Sequence, residues 1–72
     1  MVTVYTLPSC VQCESTKKYL KNRDVSFEVV DLSENSDAME LVKRLGYQAA
    51  PVVVAGDEHW SGFRPDLLNS LS

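Results

Sequence analysis

The alternation of strand-like and helix-like segments leaves this chain few folds to choose from. Val2-Thr3-Val4-Tyr5-Thr6 alternates β-branched and aromatic residues and reads as a strand. Pro8 ends it, and a helix follows from Val11 to Asn22, with Thr16, Tyr19 and Leu20 as its inward positions. Val25 to Asp31 gives a second strand whose buried atoms come from Phe27, Val29 and Val30. A strand, a crossover helix and a second strand imply a right-handed parallel pair. Ser33-Glu34-Asn35-Ser36-Asp37 reads as a helix start. Ala38, Leu41, Val42 and Leu45 then fall at helical spacing, Met39 fills the core and Gly46 supplies the stop. Pro51-Val52-Val53-Val54-Ala55 is continuously apolar, as expected of a strand covered on both faces. Gly56-Asp57 is a hairpin turn signal, and Glu58-His59-Trp60 returns antiparallel. Pro65 suits the first turn of a last helix with a stripe of Leu67, Leu68 and Leu71. The order is β-α-β-α-β-β-α: an α/β fold with a four-stranded mixed sheet flanked by three helices.

With 72 residues there is room for one core, so residues 1–72 read as a single domain. A hydrophobic fraction of 44% against 24% charged residues is that of a globular chain rather than a disordered one. The net charge is −3 and the basic residues are scattered, which argues against a nucleic-acid partner. Lys17, Lys18, Lys21 and Arg23 crowd one helix end, where cations complement the helix dipole on a solvated face. The first residues carry no charged n-region, and the apolar runs are too short to cross a bilayer, so neither a signal peptide nor a membrane partner is expected. A small secreted domain would carry several disulfides. This one has two cysteines three positions apart, and so short a loop makes a poor structural staple. The expected location is cytoplasmic.

The chemistry of the chain centres on Cys10-Val11-Gln12-Cys13, between the first strand and the first helix. Exposed N–H groups and the dipole at a helix start favour negative charge there, and the thiolate is the nucleophile of disulfide exchange. Cys13 lies about one turn further in and is the more buried of the two. Cys10 is therefore expected to attack a partner disulfide and Cys13 to resolve the mixed disulfide. Two other readings stand beside this one. A zinc site would have only Cys10, Cys13 and His59, one ligand short of closure unless the chain dimerises. Two unreactive cysteines are the other; the strand-to-helix setting favours redox chemistry. His59 reads as a solvent-facing strand residue. Pro51, at a strand start, reads on residues alone as an ordinary trans proline, since only about 5% of X–Pro bonds in folded proteins are cis.

The whole chain resembles the short glutaredoxin-like branch of the thioredoxin superfamily, and more narrowly the NrdH-redoxins. The resemblance is carried by Val4-Tyr5-Thr6, Cys10-Val11-Gln12-Cys13, Leu45-Gly46-Tyr47, Ala50-Pro51-Val52-Val53-Val54 and above all Trp60-Ser61-Gly62-Phe63-Arg64-Pro65-Asp66. It implies a thioredoxin-like fold and dithiol–disulfide oxidoreductase activity. It implies electron delivery to the large subunit of class Ib ribonucleotide reductase, with re-reduction by thioredoxin reductase. No bound cofactor or metal is then expected: the Cys10–Cys13 pair is the redox group, and NADPH serves indirectly. By the same likeness the protein is a monomer, Pro51 is cis and faces the cysteines, and Pro8, Val11 and Gln12 support them. The backbone at Ala50 is left to pair with an extended partner segment. Trp60, Ser61, Gly62, Phe63 and Arg64 match the family segment linked to partner preference; against that, Trp60 could pack on the sheet and Arg64 tie the last helix to a neighbouring loop.

Glutaredoxins hold glutathione partly through a Gly-Gly-x-Asp type turn. Here the turn reads Ser61-Gly62-Phe63-Arg64-Pro65-Asp66, and Phe63 and the proline weaken a glutathione pocket. Glutathione-dependent activity remains the alternative, followed by a CxxC-bridged dimer holding a metal or iron–sulfur group. Leu7 stands where family members commonly carry lysine, which leaves more of the thiolate activation to the helix terminus.

Overall fold

Strand β1 (Val2–Thr6) leads to helix α1 (Val11–Asn22), strand β2 (Phe27–Asp31), helix α2 (Ser36–Arg44), the hairpin β3 (Val52–Ala55) and β4 (Glu58–Ser61), and a four-residue helix α3 (Pro65–Leu68). A 3₁₀ turn, Asn69–Leu71, continues α3. The structure is a computed structural model and describes residues 1–71. The sheet order is β2-β1-β3-β4, with β1 parallel to β2 and antiparallel to β3. Thus the expected mixed sheet forms, and its crossover helix α1 joins the parallel pair.

Period-two alternation in β1 divides the core. Val2, Val4 and Thr6 are buried on one face. Val4 pairs with Val53, which pairs with Trp60, so this row lies under Leu20 of α1 and Leu68 of α3. On the other face Val52 packs with Leu32, and with Ala38 and Val42 of α2; Tyr5, Leu7, Val30, Met39 and Tyr47 flank this group. Neither cluster needs a cysteine.

Several expectations change. The second strand starts at Phe27 rather than Val25, because the Val25 N–H is bonded to Leu20 O as part of the α1 cap. Val29 is 47% exposed, since β2 is an edge strand and the cover thins beyond β1. Leu41 is 41% exposed on the flank of α2, while Ala38 and Val42 are buried. The last helix is a single turn relayed into a 3₁₀ turn, and of its leucines only Leu68 is fully buried. The Ala50–Pro51 bond is cis, against the expectation from residue statistics and in line with the family likeness.

Candidate functional site: a helix-capping disulfide

Cys10 is the N-cap of α1. Its extended backbone (φ −106°, ψ 107°) turns the chain into the helix, and its Sγ accepts the Cys13 N–H at 3.1 Å. Pro8 and Ser9 make the approach, with Ser9 in the left-handed region at φ 58°. One turn into α1, Cys13 is 1% exposed, whereas Cys10 is only partly buried. The two sulfurs form a disulfide, with a Cα–Cα separation of 5.2 Å. Thr16, buried on the same helix, satisfies its hydroxyl by donating to Gln12 O at 2.9 Å. An anion on Cys10 would sit against the helix start and a directed N–H, the arrangement that favours a thiolate.

The cis-proline loop closes the other side. Cys10 Sγ lies 3.8 Å from Ala50 O. Gly62 N–H donates to Pro51 O at 2.8 Å, and Ser61 Oγ donates to Ala49 O at 2.9 Å. These two bonds strap the end of β4 to the loop beside the disulfide. The Phe63 N–H then donates to Gln12 Oε1 at 3.2 Å, tying the same segment to the first turn of α1. The Phe63 ring stands edge-on to Tyr19 at 6.1 Å, and the Arg23 guanidinium covers the Tyr19 ring at 4.6 Å. Val11, between the cysteines in sequence, is 80% exposed.

Cys10, Val11, Gln12, Ala50, Pro51, Ser61, Gly62 and Phe63 are therefore brought together, whereas Trp60 and Arg64 of the same segment are placed differently from the expectation. Trp60 is 6% exposed, with its indole among Val53, Leu20 and Leu68. It is a core residue rather than a contact surface, and its buried Nε1 has no hydrogen-bond partner among the described residues. Arg64 does not reach a neighbouring loop: it is exposed and makes a bidentate pair with Asp66, at 3.2 and 3.0 Å. That pairing raises the Arg64 pKa and holds the Asp66 carboxyl below its usual range. Leu7 is half-buried, and with Leu32, Met39, Tyr47 and Ala50 it lines an apolar hollow of about 170 Å³ on the α2 side of the sheet. His59 is exposed and meets Tyr47, its Nδ1 2.7 Å from the phenol oxygen. No cluster of three potential ligating side chains forms among the described residues.

The bond between Gln12 and Phe63 could not be read in the sequence. It spans 51 positions, and no local pattern marks either partner.

The glutaredoxin family model matches residues 2–60 of the chain. The chain belongs to the glutaredoxin family. Within it the chain is an NrdH-type redoxin: it is 44% identical over 70 residues to the glutaredoxin-like protein NrdH of Escherichia coli K12, covering 97% of this chain and 86% of that protein. The NrdH of Lactococcus lactis IL1403 is 39% identical over 72 residues, with both chains fully covered. The solved NrdH-redoxin from Escherichia coli superimposes with a TM-score of 0.95 at 44% identity, covering 99% of this chain and 93% of that one. The thioredoxin-like protein BC3987 gives a TM-score of 0.90 at 30% identity with both chains fully covered. A glutaredoxin-family fold with a CxxC disulfide at a helix N-cap is that of a thiol–disulfide oxidoreductase. No described helix is long and apolar enough to cross a membrane.

Proposed function

We propose that this redoxin is a single-domain, monomeric cytoplasmic carrier that passes electron pairs from thioredoxin reductase to the large subunit of class Ib ribonucleotide reductase. The observation that carries the chemistry is Cys10 Sγ at the N-cap of α1, accepting the Cys13 N–H beside the Ala50 carbonyl. In the reduced protein the Cys10 thiolate attacks one sulfur of the client disulfide, and the other client sulfur leaves as a thiolate that takes up a proton. The Cys13 thiol then loses its proton and attacks Cys10 Sγ. The second client thiol departs and the Cys10–Cys13 disulfide remains, so two electrons and two protons have passed to the client. Thioredoxin reductase, drawing on NADPH, reverses this on the carrier; the carrier binds no cofactor of its own.

The client reading is supported by likeness to NrdH proteins over nearly the full chain. The reductase reading is supported by the Escherichia coli NrdH-redoxin, described as having a thioredoxin-like activity profile. An extended client segment would pair with the backbone at Ala50, with Val11, Ser61, Gly62 and Phe63 around it. The partly exposed Phe63 ring, rather than the buried Trp60, is then the aromatic contact.

The test is a side-by-side assay with oxidised protein. Thioredoxin reductase with NADPH should reduce it quickly and support deoxyribonucleotide formation by a class Ib reductase, with glutathione slow. Fast reduction by glutathione and none by thioredoxin reductase would instead make the protein a glutathione-dependent glutaredoxin.

A further inference from the structure

The turn after β4 offers two groups suited to an anion: the Phe63 N–H and the Arg64 guanidinium. Both are already taken by acceptors from the chain itself. Gln12 Oε1 accepts the Phe63 N–H at 3.2 Å, and the Asp66 carboxylate holds Arg64 in a bidentate pair. The neighbouring Gly62 N–H is spent on Pro51 O. Gln12 is exposed and stands on the first turn of α1 between the two cysteines in sequence, so its bond to Phe63 ties this turn to the helix that carries the disulfide. A Cβ on Gly62 would stand 3.5 Å from Gln12 Oε1, so the carbonyl lies close over this glycine, whose φ is +87°.

We propose that Gln12 is a specificity-determining residue: its side-chain carbonyl fills, from within the chain, the position that the carboxylate of a small acidic thiol such as glutathione would need. A thiol of that kind must break the Gln12–Phe63 bond, and compete with Asp66 for Arg64, before it gains anything at this turn. A protein partner pairing along the Ala50 backbone needs neither group, so the exclusion is one-sided. The inference rests on the dithiol reading above and adds to it a physical basis for the choice of reductant. A neutral internal hydrogen bond of ordinary strength sets the size of the effect at about tenfold in affinity.

The test compares wild type with Gln12→Met, which keeps the length and removes the acceptor, and Gln12→Glu, which keeps an acceptor and adds charge. Unreactive S-methylglutathione is titrated into each labelled, oxidised protein while the Phe63 amide resonance is followed. Gln12→Met should bind about tenfold more tightly than wild type, with the Phe63 amide shifting on binding, and Gln12→Glu no better than wild type. The ratio of glutathione-supported to thioredoxin-reductase-supported turnover should rise by a similar factor in Gln12→Met alone; Gln12→Ala repeats the test if Gln12→Met fails to fold. No gain in binding for Gln12→Met, or an equal gain for Gln12→Glu, overturns the inference. Should thioredoxin reductase fail on wild type, the client and reductant reading falls, while the binding comparison still decides the part assigned to Gln12.

Discussion

Cys10 and Cys13 are three positions apart and differ in almost everything that governs a thiol. Cys10 is partly open to solvent, caps a helix and accepts an N–H, whereas Cys13 is buried at 1% exposure. The first setting stabilises the thiolate and the second the neutral thiol. In the reduced protein Cys10 should therefore titrate below the free-cysteine value of about 8.5 and Cys13 above it. Alkylation of Cys10 should reach its full rate as pH rises through that lowered midpoint and fall away below it; thiolate absorbance on each single-cysteine variant measures both midpoints. If Cys13 titrates first, the division of labour is wrong. The same asymmetry predicts that Cys10→Ser loses client reduction by at least about 10³-fold, having lost its nucleophile. Cys13→Ser should instead accumulate a mixed disulfide through Cys10, visible by mass spectrometry. At this scale the sequence made the two cysteines plain because spacing and a strand-to-helix setting are local. Trp60 was misplaced for the opposite reason: whether an aromatic in a returning strand faces a partner or the core depends on Leu20, which arrives from far back in the chain, and on how the last helix folds Leu68 over it.

Both long helices end in the same backbone motif, and the comparison predicts how one of them can be improved. In α2, Gly46 at φ 93° donates to Lys43 O, and Tyr47 N–H reaches back to Val42 O. In α1, Asp24 at φ 57° donates to Lys21 O, and Val25 N–H reaches Leu20 O. These are Schellman caps, which favour glycine at the left-handed position. Asp24 has a Cβ in that position and sets a negative charge at the negative end of the helix dipole. Asp24→Gly should stabilise the protein by about 0.5–1 kcal/mol, read from urea unfolding; a loss of stability would show that the carboxylate compensates. At the other end of α2, the Asn35 side chain accepts the Ala38 N–H at 3.0 Å. Asn35→Ala should cost about 1 kcal/mol in the same measurement. Just before it, Asp31 accepts both the hydroxyl and the N–H of Ser33, which lowers its pKa. The stabilisation this turn gives is present above the usual Asp range and is lost as pH falls through the lowered Asp31 pKa; Ser33→Ala should move that midpoint upward in an NMR titration. Elements of this kind were mostly legible from periodicity and punctuation. The bounds of α1 came out as expected because Pro8 and Cys10 mark its start, and Gly46 announced the end of α2. Val29 and Leu41 were assigned inward because periodicity identifies a face without saying how far its cover extends.

A carrier of this size must fold in both redox states, and the layout of the core makes that possible. The two apolar clusters, one under α1 and α3 and the other under α2, close without using the disulfide as a staple. Leu68 is the exception to any redundancy, since it is the one residue that the single turn of α3 buries fully. Leu68→Ala should cost about 2–5 kcal/mol, enough to leave a domain of this length largely unfolded on warming. The disulfide should matter far less. It joins residues separated by three positions, and the chain-entropy model gives so small a loop about 2 kcal/mol. The capped Cys10 thiolate favours the reduced fold and subtracts from that figure. Urea unfolding of the oxidised and reduced protein at neutral pH should therefore give stabilities within about 2 kcal/mol of each other. A reduced form that is unfolded in buffer would mean that the bond is a structural staple after all. The same difference is also a redox quantity. By linkage it is the free energy by which the fold prefers the disulfide, and about 2 kcal/mol corresponds to about 40 mV between the folded pair and the same pair in an unfolded chain. Because the core is indifferent to the bond, the protein's control over its potential is confined to the capping geometry at Cys10. Substitutions within the first turn of α1 should then change the stabilities of the two redox forms unequally and shift the potential by the matching amount, whereas core substitutions such as Leu68→Ala should lower the stability of both redox forms together and leave the potential nearly unchanged.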